Sequence, residues 1–319
     1  MGRHLPRIGL TLGDPAGIGP ELVLRALAAD ELRREARLVA YGSAALLRRV
    51  ADAAGIPWPA GPELHDLPFA GANAVVPGRV QAACGRAAAD WVAAAARDAL
   101  AGGLDAIVTA PLNKEALHLA GVPFPGHTEM LASLGGARRT AMLFWSPSLI
   151  VSLATIHLPL ADVPAALTTA GLLDTLRLTA DACRRLGRTG PLGVLALNPH
   201  AGEGGLFGRE EQAVIAPAIA TARAEGLAVE GPLVPDTAFL EQKRGRYAAY
   251  VAMHHDQGLI PFKMLAFAEG VNVTLGLPFV RTSPDHGTAF DLAWQNRADP
   301  SSFFSAIRCA CRLAAPAAT

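Results

Sequence analysis

The stretch IGLTLGDPAGIGPE, residues 8–21, passes from an apolar run through a glycine-rich loop into the start of a helix. The run 8–12 is typical of a buried strand. Pro20 suits a first helical turn, where its missing N–H leaves no hydrogen bond unmade. The same succession of a short apolar run and a longer helical pattern recurs along the chain. It predicts an α/β fold with a mainly parallel sheet and crossover helices.

The length of 319 residues accommodates two α/β domains of roughly 150 residues each, or one large domain. A Gly/Pro cluster at residues 123–126 is the candidate domain boundary. Helical patterns lie between most of the apolar runs. The strand candidates are residues 8–12, 38–41, 106–109, 140–144, 150–155, 193–197, 250–253 and 271–275. The helix candidates are residues 20–29, 43–54, 85–101, 163–186, 208–225 and 302–313.

The charge balance of the chain argues against several classes of partner. It has 28 Lys+Arg against 28 Asp+Glu, a formal net charge of +0 at pH 7. Without a basic stripe, we expect neither nucleic acid nor an anionic membrane as a partner. The longest apolar stretch, residues 149–160, is broken by polar residues and a proline, so we expect no membrane-spanning segment. The first residues contain no apolar signal region, and we expect a soluble, cytoplasmic protein.

Polar residues follow five of the strand candidates, at the point where each run ends. In an open α/β sheet, ligands bind in the crevice outside the carboxyl ends of the strands. We therefore expect these residues to meet at one edge of a sheet, and we predict an enzyme. They are the 13–19 loop, Asn113-Lys114, His157, Asn198-Pro199-His200 and His254-His255-Asp256.

Three of those strand ends carry a histidine, although the chain has only nine. Taken singly, a histidine in such a place is more often structural. His157, His200 and His255 on separate strands instead indicate convergence on a metal ion, with open coordination positions as in a catalytic site. Nitrogen ligands favour zinc or another borderline divalent ion such as manganese or cobalt. Asp256 or Asp236 could orient an imidazole or accept a proton.

Two glycine-rich loops are open to more than one interpretation. Gly13, Gly17 and Gly19 do not form the G-x-G-x-x-G pattern of dinucleotide-binding folds. Their loop is either a tight turn or an anion-binding helix start. In the segment 198–208, four glycines beside His200 let the backbone approach another group closely.

Two cations and an amide follow His255 at intervals of about one strand or loop each. They are Lys263, Asn272 and Arg281. Each alone is typical of a protein surface. Together, in a cleft, they suit a phosphate or carboxylate substrate.

Six blocks of sequence cover most of the chain in order: GDPAGIGPE (13–21), TAPLNKEALHLAG (109–121), PGHTEML (125–131), NPHAGEGGLFG (198–208), HDQGLIPFK (255–263) and VNVTLGLPFVRTSPDHGTAFDLA (271–293). In these blocks the chain resembles the 4-hydroxythreonine-4-phosphate dehydrogenases of vitamin B6 synthesis and their close relatives, the dehydrogenases of 4-phospho-threonate and 4-phospho-erythronate. Together the blocks are highly specific for this group of enzymes.

The resemblance implies a two-domain α/β fold like that of isocitrate and isopropylmalate dehydrogenases, with the active site in the cleft between the domains. The first domain is expected to comprise residues 1–125 and 280–319 and to carry both termini. The second, residues 126–279, is expected to carry most of the metal and substrate residues. The resemblance also implies a homodimer whose active site is shared between the subunits.

The resemblance assigns roles to individual residues. It implies a divalent metal ion, zinc or else Mg, Mn or Co, held by His157, His200 and His255, with His255 supplied by the second subunit. It implies substrate contacts at His127, Thr128, Lys263, Asn272 and Arg281. The segment 285–293 is similar to the one that holds the NAD adenosine in isopropylmalate dehydrogenases, which implies NAD or NADP contacts at Gly287, Thr288 and Asp291.

The chemistry implied by the resemblance is oxidation of the 3-hydroxyl of 4-hydroxythreonine 4-phosphate. A metal ion favours ionisation of that hydroxyl, Lys263 or Asp256 relays the proton, and hydride passes to NAD(P). The 3-oxo acid then loses carbon dioxide and gives 3-amino-2-oxopropyl phosphate. The substrate phosphate is expected to lie against His127, Thr128 and backbone N–H groups, with Arg281 or Lys263 at the charged end.

Several alternatives remain open from the sequence. Relatives with the same motifs oxidise 4-phospho-D-threonate or 4-phospho-D-erythronate, and one or two hydrogen-bonding side chains would separate these substrates. A dihydrodiol dehydrogenase is less favoured, because the Gly126-His127-Thr128-Glu129 block associated with phosphate substrates is intact. From other classes, the histidines also fit a three-His metal-dependent hydrolase or a non-catalytic metal-binding protein.

Overall fold

The computed structural model describes residues 5–315, which form two compact units. Unit 1 comprises residues 5–138 and Leu277–Ala315, and unit 2 comprises Arg139–Gly276. The sequence placed the domain limits at 125/126 and 279/280, so the two divisions differ over residues 126–138 and 277–279. The first of these segments lies in unit 1 because its helix contributes Met130 and Leu131 to the core of that unit.

Within the described residues the chain forms eleven strands and thirteen α-helices. None of these helices combines the length and the apolar character needed to cross a membrane. The strands are β1 Arg7–Thr11, β2 Arg37–Gly42, β3 Glu63–Asp66, β4 Ala106–Thr109, β5 Ala141–Trp145, β6 Ile150–Leu153, β7 Leu192–Leu195, β8 Val229–Leu233, β9 Ala249–Ala252, β10 Val271–Leu275 and β11 Val280–Pro284. The helices are α1 Gly19–Ala28, α2 Asp30–Glu35, α3 Ala44–Ala54, α4 Ala82–Leu100, α5 Lys114–Leu119, α6 His127–Gly135, α7 Val163–Ala166, α8 Thr169–Arg185, α9 Ala216–Ala224, α10 Pro235–Ala238, α11 Glu241–Arg244, α12 His255–Ala266 and α13 Ser301–Ala314.

Unit 1 contains five strands in the order β3-β2-β1-β4-β11. All four neighbouring pairs are parallel. The carboxyl ends therefore lie along one edge, where Thr11 of β1 stands beside Thr109 of β4. Helix α4 packs against β1, β2 and β4, and α13 packs against β4 and β11. This arrangement delivers the loops after β1 and β4 to the same edge of the sheet.

Unit 2 contains the strands β10-β5-β6-β9-β7-β8 in that order. The pairs among β6, β9, β7 and β8 are parallel, whereas β5 is antiparallel to both β10 and β6. The expectation of a mainly parallel sheet thus holds for unit 1 and for part of unit 2. The hairpin of β5 and β6 is closed by a hydrogen bond of 2.9 Å from the Ser146 N–H to the Leu149 carbonyl. A connection this short cannot form the crossover that parallel strands need.

Small residues bring the helices of unit 1 close together. A Cβ atom on Gly85 of α4 would lie 2.1 Å from the Ala116 carbonyl oxygen of α5, so this contact requires glycine. In unit 2 the core is aromatic, and the Phe144 and Phe262 ring centroids are 5.6 Å apart. Each fully buried apolar side chain of this size contributes roughly 1.5–3 kcal/mol.

All eight predicted strands are present, with ends that shift by at most two residues. Two of the helix predictions need correction. The single helix predicted for residues 163–186 is two helices, because Thr168 is extended and its Oγ1 accepts a hydrogen bond of 3.1 Å from the Gly171 N–H, which caps α8. The helix predicted for residues 208–225 opens with a π-helical turn, Glu211–Ile215, before α9.

Candidate active site

Two of the three predicted metal-binding histidines lie side by side in unit 2. His157 follows β6 and His255 begins α12, directly after β9, which is parallel to β6. Their ring centroids are 5.7 Å apart. Their imidazole nitrogens are suitable ligands for a borderline divalent ion such as zinc. The chemistry of this pair therefore fits the metal that the sequence predicts.

The third histidine, His200, belongs to a strained loop after β7. It opens a run of five residues with positive φ, from φ 53° at His200 to φ 68° at Gly204. Three of the five are not glycine, and such strain persists only where the surrounding structure enforces it. The His200 side chain is 67% exposed, and its Nδ1 lies 3.4 Å from Glu203. Among residues 5–315 of a single chain, the structure assembles no group of three ligands suited to a metal.

His200 does share a cavity with two carboxylates of unit 2. The cavity has a volume of about 430 Å³, and its lining includes His200, Asp236, His254 and Asp256. The sequence singled out both aspartates as partners for the histidines. The structure brings them to the same cavity, next to the loop that carries His200.

Glu211 holds the His200 loop in its strained conformation. Its Oε1 accepts hydrogen bonds of 2.8 Å from the Leu197 and Asn198 N–H groups, and its Oε2 accepts one of 2.9 Å from the Asn198 side chain. Burial raises the pKa of Glu211, but the hydrogen bonds from Asn198 and Leu197 outweigh it, so the pKa lies below its usual value. The sequence analysis missed this residue, because nothing in a motif-free position thirteen residues after Asn198 marks it as a clamp.

We expect Glu211→Gln to loosen this loop, because the new amide N–H₂ would face the Asn198 amide and the charged acceptor would be gone. Hydrogen bonds to a charged group contribute about 1.5–3 kcal/mol, so the free energy of unfolding should fall by about that amount. Activity should fall with it, since His200 loses its fixed position. Urea unfolding and steady-state kinetics measure both effects. Glu269→Gln, at an exposed carboxylate, is the control, and wild-type behaviour of Glu211→Gln would contradict the role.

Gln257 connects the two strand ends that precede His200 and His255. Its Oε1 accepts a hydrogen bond of 2.7 Å from the Met253 N–H, and its Nε2 donates one of 2.7 Å to the Ala196 carbonyl. The preceding His254 caps α12, with its Nδ1 accepting from the Gln257 N–H. Gln257 therefore fixes the spacing between the ends of β7 and β9.

The predicted proton-transfer residues stand on α12. Asp256 is exposed, and its Oδ1 lies 2.7 Å from His255 Nδ1. That hydrogen bond, with smaller effects of His254 and Lys263, lowers the pKa of Asp256. Lys263 is exposed two helical turns further on, on the same side of the helix as Asp256. On β10, the Oδ1 of Asn272 is buried and has no hydrogen-bond partner among the described residues.

The predicted phosphate residues of unit 1 lie at the start of α6. His127 and Thr128 occupy its first two positions, and no side chain caps this end. The backbone N–H groups there suit an anion. Burial, with a smaller effect of Arg281, lowers the pKa of His127 well below its usual value, so the imidazole is neutral. Its Nε2 is buried and has no hydrogen-bond partner within residues 5–315.

Arg281 places a buried cation in the same unit. It is only 4% exposed, and its guanidinium donates to Thr109 Oγ1 from Nε at 3.2 Å and from Nη2 at 2.7 Å. Burial lowers the pKa of Arg281 to about 10, and Glu129 partly offsets this effect. A buried cation of this kind is stabilised by an anionic ligand. Arg281 is therefore suited to bind a phosphate or carboxylate.

The predicted nucleotide segment packs against the glycine loop after β1. The Ile18 N–H donates a hydrogen bond of 3.1 Å to the Thr288 carbonyl, and a Cβ on Gly17 would lie 3.0 Å from that oxygen. Gly287 and Asp291 flank this contact and are exposed. The loop that the sequence left open as a turn or a binding element thus supports the Thr288 segment.

Glu21 fixes the chain just after the nucleotide segment. Its buried carboxylate accepts hydrogen bonds from the Trp294 and Asn296 N–H groups. Trp294 and Asn296 both have positive φ, 63° and 58°, a conformation that side chains other than glycine rarely adopt. Burial raises the pKa of Glu21 despite these hydrogen bonds. The sequence analysis noted Glu21 only as the end of the glycine motif.

Asp14 is buried in the glycine loop itself. Its Oδ1 accepts a hydrogen bond of 2.8 Å from the Ala16 N–H, whereas its Oδ2 has no hydrogen-bond partner in the described part of the chain. The Asp14 N–H donates to the Pro111 carbonyl at 2.9 Å. Burial raises the pKa of Asp14 to about 6, and the Ala16 hydrogen bond offsets only part of that rise.

We expect Asp14→Asn to stabilise the protein above pH 6. The carboxyl ionises near pH 3.8 when unfolded and near pH 6 when folded, so folding stability is lost as the pH rises through this window. Two units correspond to about 3 kcal/mol. The amide keeps an acceptor for Ala16 and does not ionise. The variant should therefore unfold at a higher urea concentration than the wild type at pH 8, and at a similar one at pH 4. Asp52→Asn, at an exposed carboxylate, should show no difference; equal midpoints for Asp14→Asn and wild type at pH 8 would contradict the buried charge.

Comparison with known proteins decides the family. The family model "PdxA: Pyridoxal phosphate biosynthetic protein PdxA" matches residues 29–310. The chain belongs to the PdxA family. This confirms the resemblance seen in the sequence blocks.

Relatives of this PdxA-family chain match it over almost its entire length. A 4-hydroxythreonine-4-phosphate dehydrogenase of Geobacter metallireducens is 46% identical and the match covers 97% of this chain and 96% of the relative. A D-threonate 4-phosphate dehydrogenase of Salmonella typhimurium is 44% identical, with 96% and 98% covered. The crystal structure of a 4-hydroxythreonine-4-phosphate dehydrogenase from Klebsiella pneumoniae aligns with a TM-score of 0.89 at 41% identity, over 98% of this chain and 99% of that one.

These relatives are dehydrogenases, so the PdxA-family chain is an oxidoreductase and the prediction of an enzyme is confirmed. The hydrolase and the non-catalytic metal-binding protein are set aside. A β-decarboxylating dehydrogenase from Thermococcus kodakarensis shares the fold, with a TM-score of 0.51 at 15% identity over 96% of this chain and 82% of that one. The predicted fold class, like that of isocitrate and isopropylmalate dehydrogenases, is thereby confirmed.

Proposed function

We propose that the protein oxidises the 3-hydroxyl of 4-hydroxythreonine 4-phosphate with NAD or NADP, and that the 3-oxo acid loses carbon dioxide to give 3-amino-2-oxopropyl phosphate. This reaction would serve vitamin B6 synthesis in the cytoplasm. The family match and the Geobacter metallireducens relative support it. The observation that carries it in the structure is the His157–His255 pair beside Asp256.

For the metal, we propose His157, His200 and His255 as ligands, with His255 contributed by a second subunit. The neutral imidazoles of this set favour zinc, with Mg, Mn or Co as alternatives. When bound, a divalent ion supplies Lewis-acid stabilisation of negative charge on the substrate oxygen. Glu211 and Gln257 support the proposal, because they fix the loops that carry His200 and His255.

For the substrate phosphate, we propose contacts with His127, Thr128 and the N–H groups that begin α6. The neutral His127 ring can donate from the buried Nε2 to a phosphate oxygen. Arg281 or Lys263 would bind the charged end of the substrate. Asn272 would orient it through the Oδ1 that lacks a hydrogen-bond partner in the described chain.

For proton transfer, we propose Asp256 or Lys263. The Asp256 carboxylate stays ionised near neutral pH, because its hydrogen bond with His255 lowers its pKa. It can therefore accept the proton of the substrate hydroxyl. Lys263, seven residues along α12, can exchange a proton with the same carboxylate side of the helix.

For the nucleotide, we propose contacts at Gly287, Thr288 and Asp291. NAD or NADP supplies the hydride acceptor. Thr288 is supported from behind by Ile18. Asp291 is exposed and free of secondary-structure constraints beyond a short helical turn, Phe290–Leu292, and can hydrogen-bond a ribose hydroxyl.

We propose that the enzyme is a homodimer and that α12 lies in the interface. One side of α12 exposes Ile260 (61%), Met264 (81%) and Phe267 (78%), at the spacing of one helical face. Exposed apolar patches of this kind mark interaction sites. The partner is a second copy, because the same helix begins with His255, which the resemblance assigns to the neighbouring active site.

We expect Met264→Asp to weaken this dimer, because a carboxylate would be buried in an apolar interface. The variant should elute as a monomer at concentrations where the wild type is a dimer, and its activity per chain should fall. Size-exclusion chromatography with light scattering measures the mass. Leu119→Asp, on a helix of unit 1 and 57% exposed in the wild type, is the control. A dimeric, active Met264→Asp protein would remove α12 from the interface.

A second substrate, D-threonate 4-phosphate, is supported by the relative from Salmonella typhimurium. The substrates differ in one polar group, amino or hydroxyl. Reduction of NAD by the purified enzyme, with and without chelator and added zinc, separates them. A higher kcat/KM on 4-hydroxythreonine 4-phosphate supports the first proposal, and a higher value on D-threonate or D-erythronate 4-phosphate replaces it with the second. No activity on any of them would refute both.

A further inference from the structure

Unit 2 contains a second cavity at the edge opposite the histidines. Its volume is about 220 Å³, and its lining includes Ile150, where β6 begins, and Ala248, just before β9. The histidines follow the other ends of the same strands. Each strand has four residues at about 3.3 Å per residue. The cavity therefore lies about 10 Å or more from the ends that carry His157 and His255.

The lining of this cavity is cationic and rich in hydrogen-bond donors. It includes the guanidinium groups of Arg188 and Arg244 and the hydroxyls of Ser148, Thr189 and Tyr247. No carboxylate is among the described residues that line it.

The nearby carboxylate of Glu230 is already paired. Arg246 Nη2 lies 2.7 Å from its Oε2, and the Tyr247 hydroxyl donates to the same oxygen at 3.2 Å. This pairing lowers the pKa of Glu230. Arg246 thus balances the charge of Glu230, and the positive charges of Arg188 and Arg244 remain in excess around the cavity.

The backbone holds one of the two arginines in place. Arg188 Nη2 donates to the Pro147 carbonyl at 2.7 Å and to the Ser146 carbonyl at 3.3 Å. These carbonyls belong to the turn between β5 and β6. The Arg188 guanidinium is therefore ordered before any ligand binds, which reduces the entropy lost on binding.

The second arginine has an unmet requirement. Arg244 Nε is buried and has no hydrogen-bond partner within residues 5–315. A desolvated donor on a charged group is unfavourable unless an acceptor or a counter-charge compensates it. An anion in the cavity would supply the counter-charge, and a small shift of the side chain would bring Nε to an anion oxygen.

We propose that this cavity binds a phosphate group, either inorganic phosphate or a small phosphate monoester. Two guanidinium groups with hydroxyl donors match the oxygens of a phosphate dianion. The volume is smaller than the 300–1,000 Å³ typical of sites for larger ligands, which excludes a nucleotide. Because the cavity lies at the opposite edge of the strands, binding there does not compete with the substrate, and the inference does not depend on the proposed reaction.

Calorimetric titration with inorganic phosphate at constant ionic strength tests this proposal. We expect Arg244→Gln to lose one phosphate equivalent per chain, or to bind it at least about tenfold more weakly, as expected for loss of a charge-assisted hydrogen bond. Ser148→Glu places a negative charge on an exposed residue of the rim and should have the same effect without disturbing the core. Both variants should keep the wild-type kcat/KM.

Arg184→Gln is the matched control, because Arg184 is an exposed arginine of unit 2 outside the lining and pairs with Asp181. Its phosphate binding should equal that of the wild type. The proposal is overturned if Arg244→Gln and Ser148→Glu titrate like the wild type, or if Arg184→Gln loses as much binding as they do. A parallel titration with glycerol 3-phosphate separates the two sources: tighter binding than phosphate indicates a monoester, and weaker binding indicates the free ion.

Discussion

Replacing His157 with alanine is expected to abolish metal-dependent NADH formation. The imidazole stands 5.7 Å, ring to ring, from His255 and is a proposed metal ligand. Loss of Lewis-acid stabilisation worth several kcal/mol corresponds to a decrease in kcat/KM of about a thousandfold or more. Bound zinc, measured by elemental analysis after dialysis, should fall in parallel. The His157 side chain is exposed, so the thermal midpoint of the metal-free protein should not change.

His118→Ala is the matched control for this experiment. His118 is an exposed histidine of α5 in unit 1, and its loss should leave activity and zinc content unchanged. Chelator treatment of the wild type should reproduce the defect of His157→Ala, and added zinc should reverse it only in the wild type. A fully active His157→Ala enzyme with normal zinc content would eliminate the proposed metal site.

Replacing Arg281 with methionine is expected to separate activity from stability. Truncating one partner of a buried charge pair costs about 2–5 kcal/mol, so loss of the substrate contact should lower kcat/KM by about a hundredfold or more. The folded protein should be affected much less, because burying a guanidinium is itself unfavourable and an apolar replacement of similar size is often neutral or stabilising. Only the hydrogen bonds to Thr109 are lost from the contacts described above.

Arg281→Lys provides the comparison that distinguishes charge from geometry. It keeps the positive charge but not the planar pair of donors, so activity should lie between those of the wild type and Arg281→Met. Thermal unfolding of all three proteins should give midpoints within a few degrees of one another. If Arg281→Met retained wild-type kinetics, Arg281 would have no part in substrate binding. If it failed to fold, its role in the core would exceed what its contacts with Thr109 indicate.

The apolar strands could be predicted because burial on both faces selects continuous Val, Ile and Leu runs. The strands that escaped prediction lack this pattern. β3 (Glu63–Asp66) is a polar edge strand. β11 (Val280–Pro284) is buried but polar, because it carries Arg281 toward Thr109. A pattern of hydrophobic residues cannot reveal a strand whose buried side chains are chosen for a ligand.

Helix α12 could not be predicted, because Gly258 and Pro261 lie within it and both disfavour helix. The structure explains the glycine: a Cβ there would lie 2.7 Å from a Val151 methyl group, so the helix can approach β6 this closely only with glycine. That approach brings His255 next to His157. The local cost of the glycine is thus linked to the arrangement of the histidines.

The candidate site could be predicted where chemistry alone identifies a residue. Histidines after strands are conspicuous, and the structure places His157 beside His255. The supporting residues Glu211 and Glu21 were not predicted, because a carboxylate that accepts backbone N–H groups has no sequence signature apart from the loop it holds. The metal and substrate roles remain proposals, and the variants described above test them.

The discontinuity of unit 1 has a consequence for the birth of the protein on the ribosome. Unit 2 is one continuous segment, Arg139–Gly276, whereas unit 1 needs Leu277–Ala315 for its edge strand β11 and for α13, whose Phe303 and Ile307 are fully buried. Unit 2 therefore emerges whole while β4 still lacks its neighbour and an open strand edge can pair wrongly. The nascent chain completes its first unit last, after the final helix has left the exit tunnel.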